Sequence, residues 1–147
     1  MAVGVFGLQV AYKLKRTELL SLEDTPGWFG GYGTTTRMDF SNDSISGSTR
    51  GGLTVNANKM AATGNSNYGW FGGGYTGPSG FGGTPISIVN RIDFSNDSAA
   101  ALSRGILSRA RRNSAATGNS NYGWFGGGYT GETPNGPQSI VDRIDFS

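Results

Sequence analysis

The chain has 147 residues, of which 26 are glycine and 12% are aromatic, and its formal net charge is +2. It contains neither cysteine nor histidine, which excludes disulfide bonds, thiolate chemistry and every mechanism that needs an imidazole base. Abundant glycine combined with many aromatic residues predicts tight turns between packed strands and not disorder. We therefore expect a protein that is not an enzyme and uses no metal or cofactor.

Residues 1–15 have the pattern of an amphipathic strand, because apolar and small or polar residues alternate along them. Its apolar residues include Val5, Phe6, Leu8, Val10, Tyr12 and Leu14. Lysines follow the apolar run, whereas basic residues precede the apolar core of a signal peptide. The run is also too short to cross a bilayer. We predict neither a secretory signal nor a membrane partner.

A glycine–aromatic block then occurs three times. It reads Gly-Trp-Phe-Gly-Gly and begins at Gly27, Gly69 and Gly123, so that Trp28, Trp70 and Trp124 occupy equivalent positions. Such internal repetition is typical of proteins built from one repeated supersecondary unit.

A second block, Arg-x-Asp-Phe, follows each copy of the first. Its charged residues are Arg37 with Asp39, Arg91 with Asp93, and Arg143 with Asp145. The interval from Asp39 to Trp70 equals that from Asp93 to Trp124, so length varies only between the two blocks. The inserts there contain proline and glycine, which predicts surface loops.

One unit is predicted to contain four short strands and no helix. They lie around residues 61–63, over 68–72, over 88–94 and around 100–107. In the third strand Ile88, Ile92 and Phe94 share one face, while Arg91 and Asp93 share the other.

Four strands per unit, with a Gly-Gly pair ending the second, resemble the kelch repeat of β-propellers. The pairs here are Gly30-Gly31, Gly72-Gly73 and Gly126-Gly127. The aromatic residue of the fourth kelch strand is missing. The units are also similar to uncharacterised repeat proteins of aquatic viruses and environmental sequences, which implies an extracellular or virion-associated setting. The resemblance implies an all-β fold with three four-stranded antiparallel propeller-type blades.

The predicted organisation is a single repeat domain, 1–147. It comprises a spare strand at 1–15, a first blade at 16–56, a second at 57–110 and an incomplete third at 111–147, which lacks its fourth strand. The spare strand has the register of a fourth strand, since Val3–Ala11 precede Trp28 by the interval that separates Ala99–Leu107 from Trp124. Three blades are too few for a closed propeller.

These observations predict a structural protein that binds other copies of itself. The spare strand of one chain would complete the last blade of the next, a head-to-tail contact that yields a ring or a filament. We favour the filament, because the second and third units are nearly identical. The residues expected to carry the contact are Val5, Phe6, Leu8, Val10, Tyr12, Leu14, Ile140, Ile144 and Phe146.

The remaining repeated residues are expected to pack between blades. The three tryptophans would fill the space between blades, and the Arg–Asp pairs would form ion pairs there. The basic stretch from Arg104 to Arg112 is expected to be a solvated edge and not a nucleic-acid site. The alternative function is a closed oligomeric propeller that binds glycans or other ligands through the loops Thr76–Pro85 and Thr130–Pro137.

Overall fold

The computed structural model describes residues 26–39, 46–77, 82–131 and 136–147. The chain divides into two compact units. The larger comprises Trp28–Thr36 and Thr49–Ser147. The smaller comprises Met1–Gly27 and Arg37–Ser48, most of which lies outside the described residues.

The described fold is all-β, with short antiparallel strands and one turn of 3-10 helix, Phe94–Asn96. The strands are β1 (Gly27–Gly31), β2 (Thr34–Met38), β3 (Ser48–Arg50), β4 (Ala57–Asn58), β5 (Ala61–Gly64), β6 (Tyr68–Gly72), β7 (Tyr75–Thr76), β8 (Ile88–Asp93), β9 (Leu102–Ile106), β10 (Ala115–Gly118), β11 (Tyr122–Gly126) and β12 (Val141–Asp145). None of the described residues belongs to a helix long and apolar enough to span a membrane.

The strands form three main sheets in chain order, plus a two-stranded ribbon of β4 and β7. Sheet 1 has the order β1-β2-β3, sheet 2 the order β5-β6-β8-β9, and sheet 3 the order β10-β11-β12. Sheets 2 and 3 share one register: Trp70 lies opposite Thr63 and Arg91, and Trp124 lies opposite Thr117 and Arg143. The repeated sequence therefore folds as a repeated structure. All-β architecture is confirmed.

Sheets 2 and 3 differ at one edge. In sheet 2, β9 pairs with β8, with Ile88 opposite Ile106 and Arg91 opposite Leu102. In sheet 3, β12 pairs with β11, and the described residues add no strand at its other side. Val141, the first residue of β12, is 63% exposed.

Two apolar layers form the core, one on each side of sheet 2. The first contains Leu53, Phe71, Ile92 and Ala101, with Trp28 packed against it. The second contains residues of sheets 2 and 3, namely Ala61, Trp70, Val89, Leu107, Phe125 and Phe146. Sheet 2 is buried on both faces, which explains why the middle of β8 carries the consecutive buried residues Val89 and Asn90.

Candidate functional site

The repeated tryptophans make the same contact in two places. Trp28 stacks on Phe94 of the next unit, with ring centroids 5.0 Å apart and planes 14° from parallel. Trp70 stacks on Phe146 of the unit after, at 5.4 Å and 16°. The phenylalanine of the second and of the third Arg-x-Asp-Phe block thus packs on the tryptophan of the preceding unit. The structure therefore places Trp28 and Trp70 between units.

The glycine two residues after Trp28 and the one two residues after Trp70 each make room for a phenylalanine. A Cβ atom on Gly30 would lie 2.6 Å from Cε1 of Phe71, and one on Gly72 would lie 2.8 Å from Cε1 of Phe125. Carbon atoms do not approach this closely, because contact distances are about 3.5–4.0 Å. Each phenylalanine ring therefore occupies the place where a side chain would project, and the first glycine of the Gly-Gly pair is required by packing.

The equivalent face of sheet 3 is open in the described structure. Trp124, Gly126 and Val141 line a hollow of about 350 Å³, together with Ala115, Ala116, Thr117 and Gly127. The atom nearest to a Cβ on Gly126 would be Cγ2 of Val141, at the ordinary distance of 3.6 Å. In sheets 1 and 2, the repeated tryptophan and glycine are covered by aromatic rings. In sheet 3, the equivalent residues Trp124 and Gly126 form an accessible pocket.

The matching phenylalanine of sheet 1 is also accessible. Phe29 corresponds to Phe71 and Phe125, which are 3% and 0% exposed, whereas Phe29 is 57% exposed. Full burial of a phenylalanine side chain contributes about 1.5–3 kcal/mol. Both halves of the contact between units are thus present on the surface, the ring on sheet 1 and the pocket on sheet 3.

The arginines of the second block lie over aromatic rings of their own sheets. The guanidinium of Arg91 is 4.2 Å from the centroid of the Tyr68 ring, and that of Arg143 is 4.7 Å from the centroid of Tyr122. These are cation–π contacts between neighbouring strands. For Arg91 and Arg143, the observed contact is thus with an aromatic ring of the same sheet, whereas an ion pair between sheets was expected. Arg37 and Asp39 belong to the smaller unit.

The aspartates of the second block cap turns. Asp93 Oδ1 accepts hydrogen bonds from the backbone N–H and hydroxyl of Ser95, at 2.9 and 2.6 Å. Asp145 Oδ1 accepts one from the N–H of Ser147, at 3.0 Å. These bonds hold the pKa of both carboxyl groups below its ordinary value, and the nearby arginines lower it further. The aspartates thus terminate strands within their own sheets.

The residues assigned to assembly in the last unit have different surroundings. Phe146 is buried against Trp70, and Ile144 packs against the same core layer. Phe146 therefore belongs to the core of this chain and not to an assembly surface, because its ring fills the space between two sheets. Ile140 is half-buried. The assigned residues Val5, Phe6, Leu8, Val10, Tyr12 and Leu14 lie outside the described residues.

A buried ion pair was missed by the sequence analysis. Arg111 is 0% exposed; its Nη2 lies 2.6 Å from Oδ2 of Asp142 and donates a hydrogen bond to the carbonyl oxygen of Phe125 at 2.9 Å. The expectation of a solvated basic edge is wrong for Arg111, since it pairs with a carboxylate. The sequence does contain a signal for this pair. Arg111 and Asp142 both differ from the residues at the matching positions of the second unit, which are Ala57 and Asn90.

Asp142 is held in its charged form. Burial alone would raise its pKa, but hydrogen bonds from Ser108 and the interaction with Arg111 outweigh burial and leave the pKa below its ordinary value. The backbone N–H of Ser108 donates to Oδ1 of Asp142 at 3.1 Å, just as that of Thr54 donates to Oδ1 of Asn90 at 3.0 Å. The side chain at this position, Asp142 or Asn90, therefore joins the third strand of its own unit to a backbone N–H near the end of the preceding unit.

The two loops considered for glycan binding are only partly described. Thr76 and Thr84 join the base of the first through hydrogen bonds, including 2.9 Å between the N–H of Thr76 and the carbonyl of Thr84. In the second, Tyr129 bridges to Pro137. Residues 78–81 and 132–135 lie outside the described part of the chain.

Comparison with known proteins gives a likeness of fold. No family model matches the sequence, and no curated protein matches it. Among 95 matching chains of solved structures is one titled "Structure of YjhT", with a TM-score of 0.60 at 12% identity. The match covers 74% of this chain and 34% of that one, so this chain spans about a third of its length. At this identity the likeness concerns the fold alone.

Proposed function

We propose that this protein is a structural protein that binds other copies of itself head to tail and thereby forms a filament. The observation that carries the proposal is the difference between sheets 2 and 3. They share one register, but β8 of sheet 2 has β9 beside it, while β12 has no fourth strand among the described residues. An open strand edge presents unpaired N–H and C=O groups that pair readily with another chain.

The donor in this proposal is the segment 1–15 of another copy, whose alternating pattern suits an added strand. In sheet 2, Leu102 pairs with Arg91 and Ile106 with Ile88. The same register would bring Phe6 of the second copy opposite Arg143, and Val10 opposite Ile140. Backbone hydrogen bonds would give the affinity, and alternate apolar side chains would set the register.

The four-stranded units are, in this proposal, kelch-like propeller blades. The repeated register of sheets 2 and 3 supports it. Two chains would supply six blades, a normal number for a closed propeller. A head-to-tail contact whose rotation does not close gives a filament instead. Such a polymer would suit an extracellular or virion-associated setting.

The test is self-association of the full chain. Sedimentation velocity over a concentration series should show species that grow with concentration, and negative-stain images should show filaments. Deletion of residues 1–14 should leave a non-associating chain, and a synthetic peptide of residues 1–15 should shorten the filaments by occupying β12. If the deleted chain forms the same particles as the full chain, strand addition is not the mechanism. Closed rings would favour the six-bladed oligomer.

A further inference from the structure

We infer that the pocket of Trp124 and Gly126 on sheet 3 receives the side chain of Phe29 from a second copy of this chain. The inference rests on the proposed function for the identity of the partner. The contact is a separate one, however, since it involves the face of sheet 3 and not the edge of β12.

The chain itself contains the template for this contact, twice. Phe71 fills the space above Gly30, and Phe125 fills the space above Gly72, with Cβ-to-ring distances of 2.6 and 2.8 Å for the absent side chains. Phe29 is the third member of the phenylalanine series, and Gly126 is the third member of the glycine series. Each is the one member whose partner is not supplied within the described chain.

The surfaces match in chemistry and accessibility. The pocket is lined by alanines, Val141, glycines and the Trp124 indole, and it holds no charged side chain. Phe29 is 57% exposed, although its two counterparts are almost fully buried. An apolar ring on one surface and an apolar pocket on another give a heterologous contact, which propagates from chain to chain.

The two contacts can come from the same second copy. The interval from Leu53 to Phe71 equals that from Leu107 to Phe125, and the interval from Ala11 to Phe29 is the same. A chain that adds its Val3–Ala11 segment beside β12 therefore has the linker length that brings Phe29 over the pocket. Val141 belongs both to the edge strand and to the pocket lining, so the two sites adjoin.

The closing experiment compares three full-length variants with the wild type by sedimentation equilibrium. Phe29→Ala should weaken self-association by about 100-fold, as expected for loss of a buried phenylalanine. Gly126→Ala should weaken it by about 10-fold, because its methyl group would overlap the incoming ring. Both should keep the circular dichroism and melting temperature of the dilute wild-type chain. The double variant should lose no more than Phe29→Ala alone.

Gly72→Ala is the matched control, since it places the same methyl group at the internal contact. It should lower the melting temperature of the dilute chain, where Gly126→Ala does not. A wild type that stays monomeric overturns the proposed function together with this inference. A wild type that assembles, with unchanged association of Phe29→Ala and Gly126→Ala, overturns this inference alone. Association weakened by Gly126→Ala but not by Phe29→Ala would assign the pocket to another group and also overturn it.

Discussion

The ion pair of Arg111 and Asp142 offers a strong test of the packing between sheets 2 and 3. The guanidinium is 0% exposed, with its Nη2 2.6 Å from the carboxylate. Arg111→Met keeps most of the side-chain volume but leaves Asp142 without its cation. Removal of one partner from a buried pair costs about 3–5 kcal/mol. The side chain of Asp142 is 17% exposed and retains its hydrogen bond from Ser108, so we expect the lower end, about 3 kcal/mol.

The double variant Arg111→Met with Asp142→Asn is the decisive comparison. The second unit already holds Asn90 at the position of Asp142, where Oδ1 accepts the N–H of Thr54. The amide introduced by Asp142→Asn can therefore keep the bond from Ser108 without any buried charge. Replacement of a whole buried pair by neutral residues is often close to neutral, so the double variant should recover about 2 kcal/mol of the loss.

The measurement is urea unfolding followed by tryptophan fluorescence, at a protein concentration low enough that association adds no stability. A loss of about 3 kcal/mol corresponds to a melting temperature about 6–12 °C lower for a chain of this size. If the double variant is as unstable as Arg111→Met, the arginine acts through its packing and the electrostatic account is incorrect.

Three other expectations rest on the same contacts. Because the folded-state pKa of Asp142 is lowered, the contribution of this carboxylate to stability is complete above its unfolded-state pKa and is lost as the pH falls through the folded-state value. In an acid titration, the unfolding free energy should therefore fall less steeply with pH in the double variant Arg111→Met with Asp142→Asn than in the wild type. Phe125→Ala should destabilise the dilute chain by about 3–5 kcal/mol, measured by urea unfolding, whereas Phe29→Ala should change it by less than about 0.5 kcal/mol. Gly73 has a φ of +65°, and a Cβ added to it would lie 2.5 Å from the carbonyl oxygen of Arg111. Gly73→Ala should therefore lower the free energy of unfolding by more than the roughly 1–2 kcal/mol that the left-handed conformation alone costs. Gly127→Ala, with a φ of +68° and its nearest atom at 3.6 Å, is the matched variant; equal losses in the two would exclude the close approach as a cause.

The strands within the repeat were predictable because their signals are local. Residues 68–72 were expected as a strand, and β6 occupies Tyr68–Gly72. The expected strand over 88–94 ends one residue earlier, since Asp93 accepts the N–H of Ser95 and begins a 3-10 turn at Phe94. The fourth strand, expected around 100–107, is Leu102–Ile106. Alternation and turn residues carry this information along the chain.

The partners of the motif residues were harder to predict, because they depend on which sheet lies on which face. A strand pattern shows that Arg91 and Asp93 project together, but not that Arg91 lies over Tyr68. The sequence places Arg111 among basic neighbours, whereas its partner Asp142 lies far along the chain. Comparison of the copies position by position would have revealed it, since Arg111 and Asp142 depart together from Ala57 and Asn90.

The repeated unit contains both surfaces of the contact between units. Tryptophan and the first glycine form an acceptor for the rings of the following unit, and the two phenylalanines form the donor for the preceding one. Within the described residues the second unit carries both an acceptor and a donor, and a donor or an acceptor without its counterpart beside it should be exposed. Phe29 and the pocket of Trp124 have the exposure that this rule requires. Packing between units therefore explains why the tryptophan, the first glycine and the phenylalanines recur at these positions.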